Sequence, residues 1–228
     1  MPLRYWLFVL LTLGLTTAVG YATYRTALLL RSWRPDRNLL LIPAENLVRL
    51  ALIALCVALG MLSGLAPDQL GWRLSPLAPQ LLGGILAGSA LALFFFAATR
   101  WVVSRSGSRF YSPAVLEIIV PRTQAEFWAV ALVMVSVVIL EELLFRSLLI
   151  GGLLPIVPAP LLLVISGLAF GVMHSPQGAW GMTGAGLAGV GLGLLFLAAG
   201  SLLLPIVAHY VTNMVQVWLA MRLAHDET

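Results

Sequence analysis

The sequence is dominated by long apolar stretches that contain few charged residues. Crossing the hydrocarbon core of a bilayer takes an α-helix of about 20 apolar residues. Seven stretches are suitable, although the fifth is short: 5–30, 45–65, 77–103, 126–154, 159–174, 178–199 and 202–223. We therefore predict an all-α, polytopic membrane helix bundle with about seven transmembrane helices.

The composition excludes an ordinary soluble domain. Of the 228 residues, 61% are hydrophobic and 10% are charged, whereas soluble domains carry about 25% charged residues. A soluble chain of this size has too much surface for its volume to hide so many apolar side chains, but a bilayer can solvate them. We expect one membrane domain, with N-terminal helices and a cytoplasmic loop in residues 1–124 and a catalytic helix core in residues 125–223.

The basic residues predict how the chain is oriented in the membrane. All 13 are arginines, and they concentrate in two loops and at the helix ends beside them: Arg25, Arg31, Arg34 and Arg37, then Arg100, Arg105, Arg109 and Arg122. By the positive-inside rule the N-terminus lies outside and the C-terminus in the cytoplasm. We read these arginines as topology signals and expect no nucleic-acid partner. The small size and a tail without an organelle-retention signal lead us to expect the inner (plasma) membrane of a bacterial cell.

Two features of the loops and glycines predict local structure. The loop 104–123 mixes Arg, Ser, Tyr and apolar residues, and either an interfacial helix at 113–119 or an ordinary connection fits it.

In the sixth apolar stretch, Gly189 and Gly193 form a small-xxx-small pair that permits close helix packing. We expect this packing to lie within the chain rather than between two copies.

The strongest chemical signal is the run EELLFR at 141–146 inside the fourth apolar stretch. Each ionisable residue at mid-membrane costs about 2.5–3.5 kcal/mol, so these residues must be paired or face a wet cavity. Glu142 and Arg146 are four residues apart and can form an ion pair on one helix face. Glu141 points about 100° away. Its lone carboxylate suits a general base, although both acids could instead serve one structural charge cluster.

Three further polar residues lie in the late apolar stretches. His174 ends the fifth stretch, and His209 and Asn213 lie in the seventh. Each alone could be a hydrogen-bonded packing residue. However, His209 and Asn213 are four apart, so both can donate a hydrogen bond to one point, as the stabilisation of an oxyanion requires. If the fourth helix continues to residue 154, Glu141 and His174 lie at similar depth on antiparallel neighbours.

Together these residues resemble a known set of motifs. The CAAX-protease and bacteriocin-processing family of intramembrane proteases, which includes the type II CAAX prenyl endopeptidases, carries Glu-Glu-x-x-x-Arg, Phe-x-x-x-His and His-x-x-x-Asn. The chain has EELLFR at 141–146, FGVMH at 170–174 and HYVTN at 209–213, in the same order. The resemblance covers about residues 125–220, whereas the first three helices match only in hydrophobicity.

The resemblance implies a role for each matching residue. Glu141 would activate a water that His174 helps to hold, and His209 and Asn213 would stabilise the tetrahedral oxyanion. Glu142 and Arg146 would support the site or bind the end of the substrate, and Phe170 would pack beside it. The implied partners are the lipid bilayer and a membrane-associated peptide or protein substrate.

Three alternatives accompany this prediction. A zinc ion held by Glu141, His174 and His209 is chemically conceivable, but the His-Glu-x-x-His spacing of many zinc proteases is absent, and we favour no metal and no cofactor. Intramembrane acids, His and Arg also occur in transporters and channels, although the inverted repeat common in transporters is not visible. A non-catalytic protein of the bacteriocin-immunity type is the third alternative.

Overall fold

The computed structural model describes the whole chain except Trp33, Arg34, Asp36, Ser75, Tyr111, Pro113, Glu227 and Thr228. The prediction for Arg34 therefore lies outside the described residues. The α-helices are α1 (Leu3–Ser32), α2 (Pro43–Ser63), α3 (Leu77–Ser106), α4 (Ala114–Ile119), α5 (Gln124–Glu142), α6 (Ala159–Met173), α7 (Gly178–Ala199) and α8 (Leu203–Asp226). A π-helical segment, Leu143–Gly151, continues α5. The described residues contain no β-strand.

The predicted helical membrane bundle is confirmed. Six helices are long and apolar enough to cross a bilayer, and one of them is the continuous span Gln124–Gly151 formed by α5 and the π-helical segment. The fifth predicted stretch, 159–174, is the shorter apolar helix α6, with 15 residues. At 1.5 Å per residue α6 is about 22 Å long, which is less than the roughly 30 Å of a typical hydrocarbon core. The protein is an integral membrane protein.

The two arginine-rich loops lie at the same end of the bundle. The Asn38 side chain donates a hydrogen bond to the Ile119 carbonyl, with an N–O distance of 2.8 Å. The Ser112 N–H donates to the Gln177 carbonyl at 3.0 Å, which places the α6–α7 connection at this end too. We call it the arginine-rich end. Of the two alternatives for the loop 104–123, the structure contains a short helix, α4.

The opposite end of the bundle is covered by the hairpin of residues 64–76 between α2 and α3. Trp72 donates from its indole N–H to the Ser147 hydroxyl at 3.0 Å, and Ser147 donates to the Leu70 carbonyl at 2.8 Å. The N–H of Leu202, in the α7–α8 turn, donates to the Gly71 carbonyl at 2.8 Å. Gly71 has a φ of 73°, which glycine adopts without strain. We call this segment the covering hairpin.

The glycines of α7 permit close packing within the chain, as predicted. A Cβ atom at Gly189 would lie 3.3 Å from the Gly167 Cα and from the Phe170 side chain of α6. A Cβ atom at Gly193 would lie 2.6 Å from the Leu163 side chain. The backbones of α6 and α7 therefore approach closely, and this approach positions Phe170.

Candidate active site

The two acids of the EELLFR run lie where the helix changes its hydrogen-bonding pattern. Thr123 caps the start of α5 by accepting a hydrogen bond from the Glu126 N–H at 3.1 Å, in a Thr-x-x-Glu pattern typical of helix starts. The helix remains α-helical through Glu142 and becomes π-helical from Leu143 to Gly151, where every residue is buried. Pi-helical turns inside α-helices occur frequently at functional sites.

The predicted ion pair is present and fully buried. Arg146 Nη1 donates to Glu142 Oε1 at 2.8 Å, and neither side chain has any exposed surface. Arg146 Nη2 also donates to the Gly189 carbonyl of α7 at 3.1 Å. The guanidinium lies over the Phe170 ring, 4.9 Å from its centroid. Arg146 therefore connects the π-helical segment to both α6 and α7.

His209 connects the two glutamates of α5 to α8. His209 Nδ1 lies 2.7 Å from Glu142 Oε1, the same oxygen that Arg146 contacts. His209 Nε2 lies 3.5 Å from Glu141 Oε2. A buried carboxylate thus fixes one ring nitrogen, and the other faces the second carboxylate. The hydrogen bond made by one ring nitrogen determines whether the other nitrogen carries a proton or a lone pair.

Glu141 and Glu142 lie in different environments, as their separation along the helix predicts. The Glu142 side chain has no exposed surface, whereas 27% of the Glu141 side chain is exposed. Glu141 lines a cavity of about 650 Å³, and Glu142 does not. Glu142 is therefore an internal charge, and Glu141 is the carboxylate that a bound molecule can reach.

His174 presents a defined nitrogen to its surroundings. His174 Nδ1 lies 2.8 Å from the Phe170 carbonyl one turn earlier. A carbonyl only accepts hydrogen bonds, so Nδ1 carries the proton and Nε2 of the neutral ring is an acceptor. The Phe170 and His174 rings lie against each other, with centroids 4.6 Å apart. His174 also lines the cavity.

Asn213 lies one turn after His209 on the same face of α8. Its side-chain amide N–H points to the Met134 sulfur at 3.7 Å. Thioether sulfur is a weak acceptor, so a stronger acceptor in the cavity could take over this donor. Both His209 and Asn213 line the cavity.

Five of the seven motif residues line the cavity: Glu141, Phe170, His174, His209 and Asn213. Glu142 and Arg146 lie behind them. Both of these side chains are fully buried. From the polar group the cavity extends between α3, α7 and α8 to Arg100 and Ser104 near the arginine-rich end.

The described residues do not offer a metal site. Among them, no group of three or more His, Cys, Asp and Glu side chains is arranged to hold a metal ion. The alternative zinc set of Glu141, His174 and His209 is not such a group. We derive no step through a metal.

Sequence analysis gave no account of one charged residue in a predicted membrane stretch. Arg49 lies in α2, where its Nη1 donates to the Asn46 side-chain oxygen at 2.5 Å. The signal was available, because Arg49 lies inside the second predicted membrane stretch. The cost of an ionisable residue at membrane depth, which drew attention to Glu141, applies to Arg49 as well.

The fold and the site define a class: a polytopic helical membrane protein with an acid, two imidazoles and an amide around one internal cavity. Residues 123–215 match the family model described as "Type II CAAX prenyl endopeptidase Rce1-like". The matched residues include all three motifs. No curated protein and no solved structure matches the chain significantly.

Proposed function

We propose that the protein hydrolyses a peptide bond inside the membrane, with a water activated by Glu141. The observation that carries this proposal is that one cavity brings together Glu141, His174, His209 and Asn213 from three separate helical spans. An accessible carboxylate beside two imidazoles and an amide provides a base and hydrogen-bond donors, which hydrolysis of an amide requires.

The hydrogen bonds suggest how the water is held. Glu141 accepts a hydrogen bond from one O–H of the water, and His174 accepts a hydrogen bond from the other O–H through Nε2, because Nδ1 donates to the Phe170 carbonyl. The water oxygen then attacks the scissile carbonyl carbon, and the proton passes to Glu141. Glu141 returns this proton to the leaving amine, which completes the hydrolysis.

The developing oxyanion is stabilised by His209 and Asn213. His209 Nδ1 faces Glu142, whose charge is balanced by Arg146. To donate to Glu142 from Nδ1 and to the oxyanion from Nε2, the ring must carry both protons. Glu142 stabilises this imidazolium. Asn213 Nδ2 leaves the Met134 sulfur and provides the second donor. Donors placed where charge develops usually give the largest single catalytic contribution.

The substrate is a membrane-associated peptide or protein that reaches the cavity from the arginine-rich end. We place this end in the cytoplasm by the positive-inside rule, with the N-terminus outside, and assign the protein to the inner membrane of a bacterial cell. A reporter enzyme active only in the cytoplasm, fused after residue 228, is expected to be active. An inactive fusion to an inserted, full-length chain would reverse the orientation.

The geometry gives less support to transport. The described lining of the cavity includes no residue of the covering hairpin, so in this structure the cavity does not reach that end. One variant distinguishes the catalytic proposal from a non-catalytic, bacteriocin-immunity-type function. If Glu141→Gln still protects cells against a bacteriocin, protection needs only binding and no catalysis.

Oxygen labelling tests the proposed hydrolysis without knowledge of the substrate. Membranes with wild-type protein are incubated in H₂¹⁸O, and peptides are analysed by mass spectrometry for new C-termini that carry ¹⁸O. We expect such termini in the wild type, and their loss in Glu141→Gln and His174→Ala. Glu126→Gln is the matched control, because Glu126 lies in the first turn of the same helix and does not line this cavity. Equal labelling by wild type and Glu141→Gln would refute the mechanism.

A further inference from the structure

The cavity has a positive charge at its mouth as well as a carboxylate in its interior. Apart from the two histidines, Glu141 and Arg100 are the only charged side chains among its described lining residues. Arg100 is exposed, and none of the described residues forms an ion pair with it. Its guanidinium carbon lies 5.8 Å from the centroid of the Phe96 ring, and Phe96 also lines the cavity. The guanidinium is therefore available to a negatively charged group of a molecule in the cavity.

A second arginine of α3 shows what distinguishes Arg100. Long basic side chains near the ends of membrane helices often reach toward the headgroups, and such a role needs no contact with the cavity. Arg105 lies over the Trp101 ring, 5.9 Å from its centroid, and neither residue lines the cavity. Arg100 lies instead on the lining face of α3, with Leu91 and Phe95. Of these two arginines, Arg100 is the one that a bound substrate can contact.

The packing of α3 against α8 fixes how far Arg100 lies from the catalytic group. A Cβ atom at Gly84 would lie 2.6 Å from the Val207 Cβ, and one at Gly88 would lie 2.8 Å from the Val211 Cβ. Both pairs have the same separation in sequence, so the two helices run parallel in a constant register. Asn213 is two residues after Val211 and therefore lies level with the α3 residue two positions after Gly88.

This register converts into a length of substrate. Arg100 is ten residues beyond the level of Asn213 along α3, which corresponds to about 15 Å. Phe96, whose ring the guanidinium contacts, is one turn closer, at about 9 Å. An extended peptide advances by about 3.3 Å per residue. The guanidinium therefore lies about three to five extended residues from the oxyanion donor Asn213.

We propose that Arg100 is a specificity-determining residue that binds a carboxylate of the substrate, about three to five residues from the scissile bond. This inference rests on the proposed function, and it gives a role to a residue of α3, outside the matched segment 123–215. A guanidinium forms two parallel hydrogen bonds to a carboxylate. An Asp or Glu side chain and a chain terminus present the same two oxygens, so either can be the source of this group.

The test uses full-length protein in bilayers, H₂¹⁸O and a synthetic peptide library. Each peptide carries one Asp, Asn or Lys at a varied position, with a free or an amidated C-terminus. Mass spectrometry of the ¹⁸O-labelled termini reports which peptides are cleaved and where. Since an exposed ion pair contributes up to about 1 kcal/mol, we expect a preference of about fivefold for a carboxylate at the stated distance. A preference for Asp that survives amidation identifies a side chain, and a preference lost on amidation identifies the terminus.

Substitutions of Arg100 should change this preference. Arg100→Gln should abolish it, Arg100→Lys should retain part of it, and Arg100→Glu should reverse it in favour of Lys. The preference should appear in KM more than in kcat, because Arg100 lies far from the reacting atoms. Arg105→Glu is the matched control, because it makes the same change of charge in the same helix outside the cavity; its preference should equal that of the wild type.

The outcomes distinguish this inference from the proposed function. No preference in the wild type, or the same preference in the wild type and Arg100→Glu, overturns the role of Arg100 even if Glu141→Gln is inactive. An active Glu141→Gln protein overturns the proposed function itself. If no library peptide is cleaved, binding of the same peptides to Glu141→Gln and to Glu141→Gln/Arg100→Gln decides. Tighter binding of acidic peptides by the first protein alone supports the role of Arg100, and equal binding by both proteins refutes it.

Discussion

Replacing Arg146 by methionine tests whether the buried ion pair holds the site together. The substitution keeps an unbranched side chain but removes the partner that contacts Glu142 at 2.8 Å, in a place where neither side chain is exposed. The Glu142 carboxylate would stay buried, with His209 as its remaining charged contact. Breaking a buried pair in this way costs about 3–5 kcal/mol of folding free energy.

The single cysteine of the chain provides the assay. Cys56 is fully buried in α2, so a maleimide reagent reacts with it only when the bundle opens. When closing is faster than labelling, the labelling rate follows the opening equilibrium. Since about 1.4 kcal/mol corresponds to a factor of ten, Arg146→Met should accelerate labelling by roughly 10²- to 10⁴-fold. Arg25→Met is the control, because Arg25 is exposed and pairs with the Tyr21 hydroxyl on the same helix.

The double variant Glu142→Gln/Arg146→Met separates the lost charge balance from the lost contacts. It leaves no unpaired charge at this position, and the amide oxygen that replaces the carboxylate could still accept a hydrogen bond from His209 Nδ1. We expect labelling of Cys56 to return most of the way to the wild-type rate, while cleavage stays low because no carboxylate stabilises the imidazolium. Equal labelling rates in the double and single variants would refute the reasoning.

Three further predictions follow from the geometry. Asn213→Ala should lower kcat by about 10²- to 10³-fold with little change in KM, since loss of one oxyanion donor typically has this effect; a wild-type kcat would remove Asn213 from the mechanism. Gly88→Ala should accelerate Cys56 labelling, because the new Cβ would clash with the Ala208 carbonyl where α3 meets α8. Gly191→Ala is the control and should leave the labelling rate unchanged, because nothing lies within 4 Å of a Cβ at that position. Treatment with a strong zinc chelator should leave cleavage unchanged, and loss of activity that added zinc restores would contradict a metal-free mechanism.

The helices were predictable because each is a long apolar segment in a chain with few charges. The pairing of Glu142 with Arg146 was predictable from their spacing of four. The π-helical pattern after Glu142 was not, because residues 143–151 show no sequence period that separates it from an α-helix. It depends on tertiary packing, such as the contact of Ser147 with the Leu70 carbonyl.

The contacts between distant helices were the part that the sequence did not determine. Motif order suggested that Glu141, His174 and His209 meet, but it did not show that His209 contacts both acids. His209 and Glu142 are 67 positions apart, and no local periodicity connects them.

The covering hairpin has a consequence for the membrane as a whole. A hydrolytic site needs water deep in the bilayer, and a water-filled passage from one face to the other would let ions and protons leak down their gradients. Here Leu70 and Trp72 pack under the π-helical segment and the Leu202 N–H closes on Gly71. Closure at this end would let the proposed site admit water for the chemistry without opening a continuous path across the membrane.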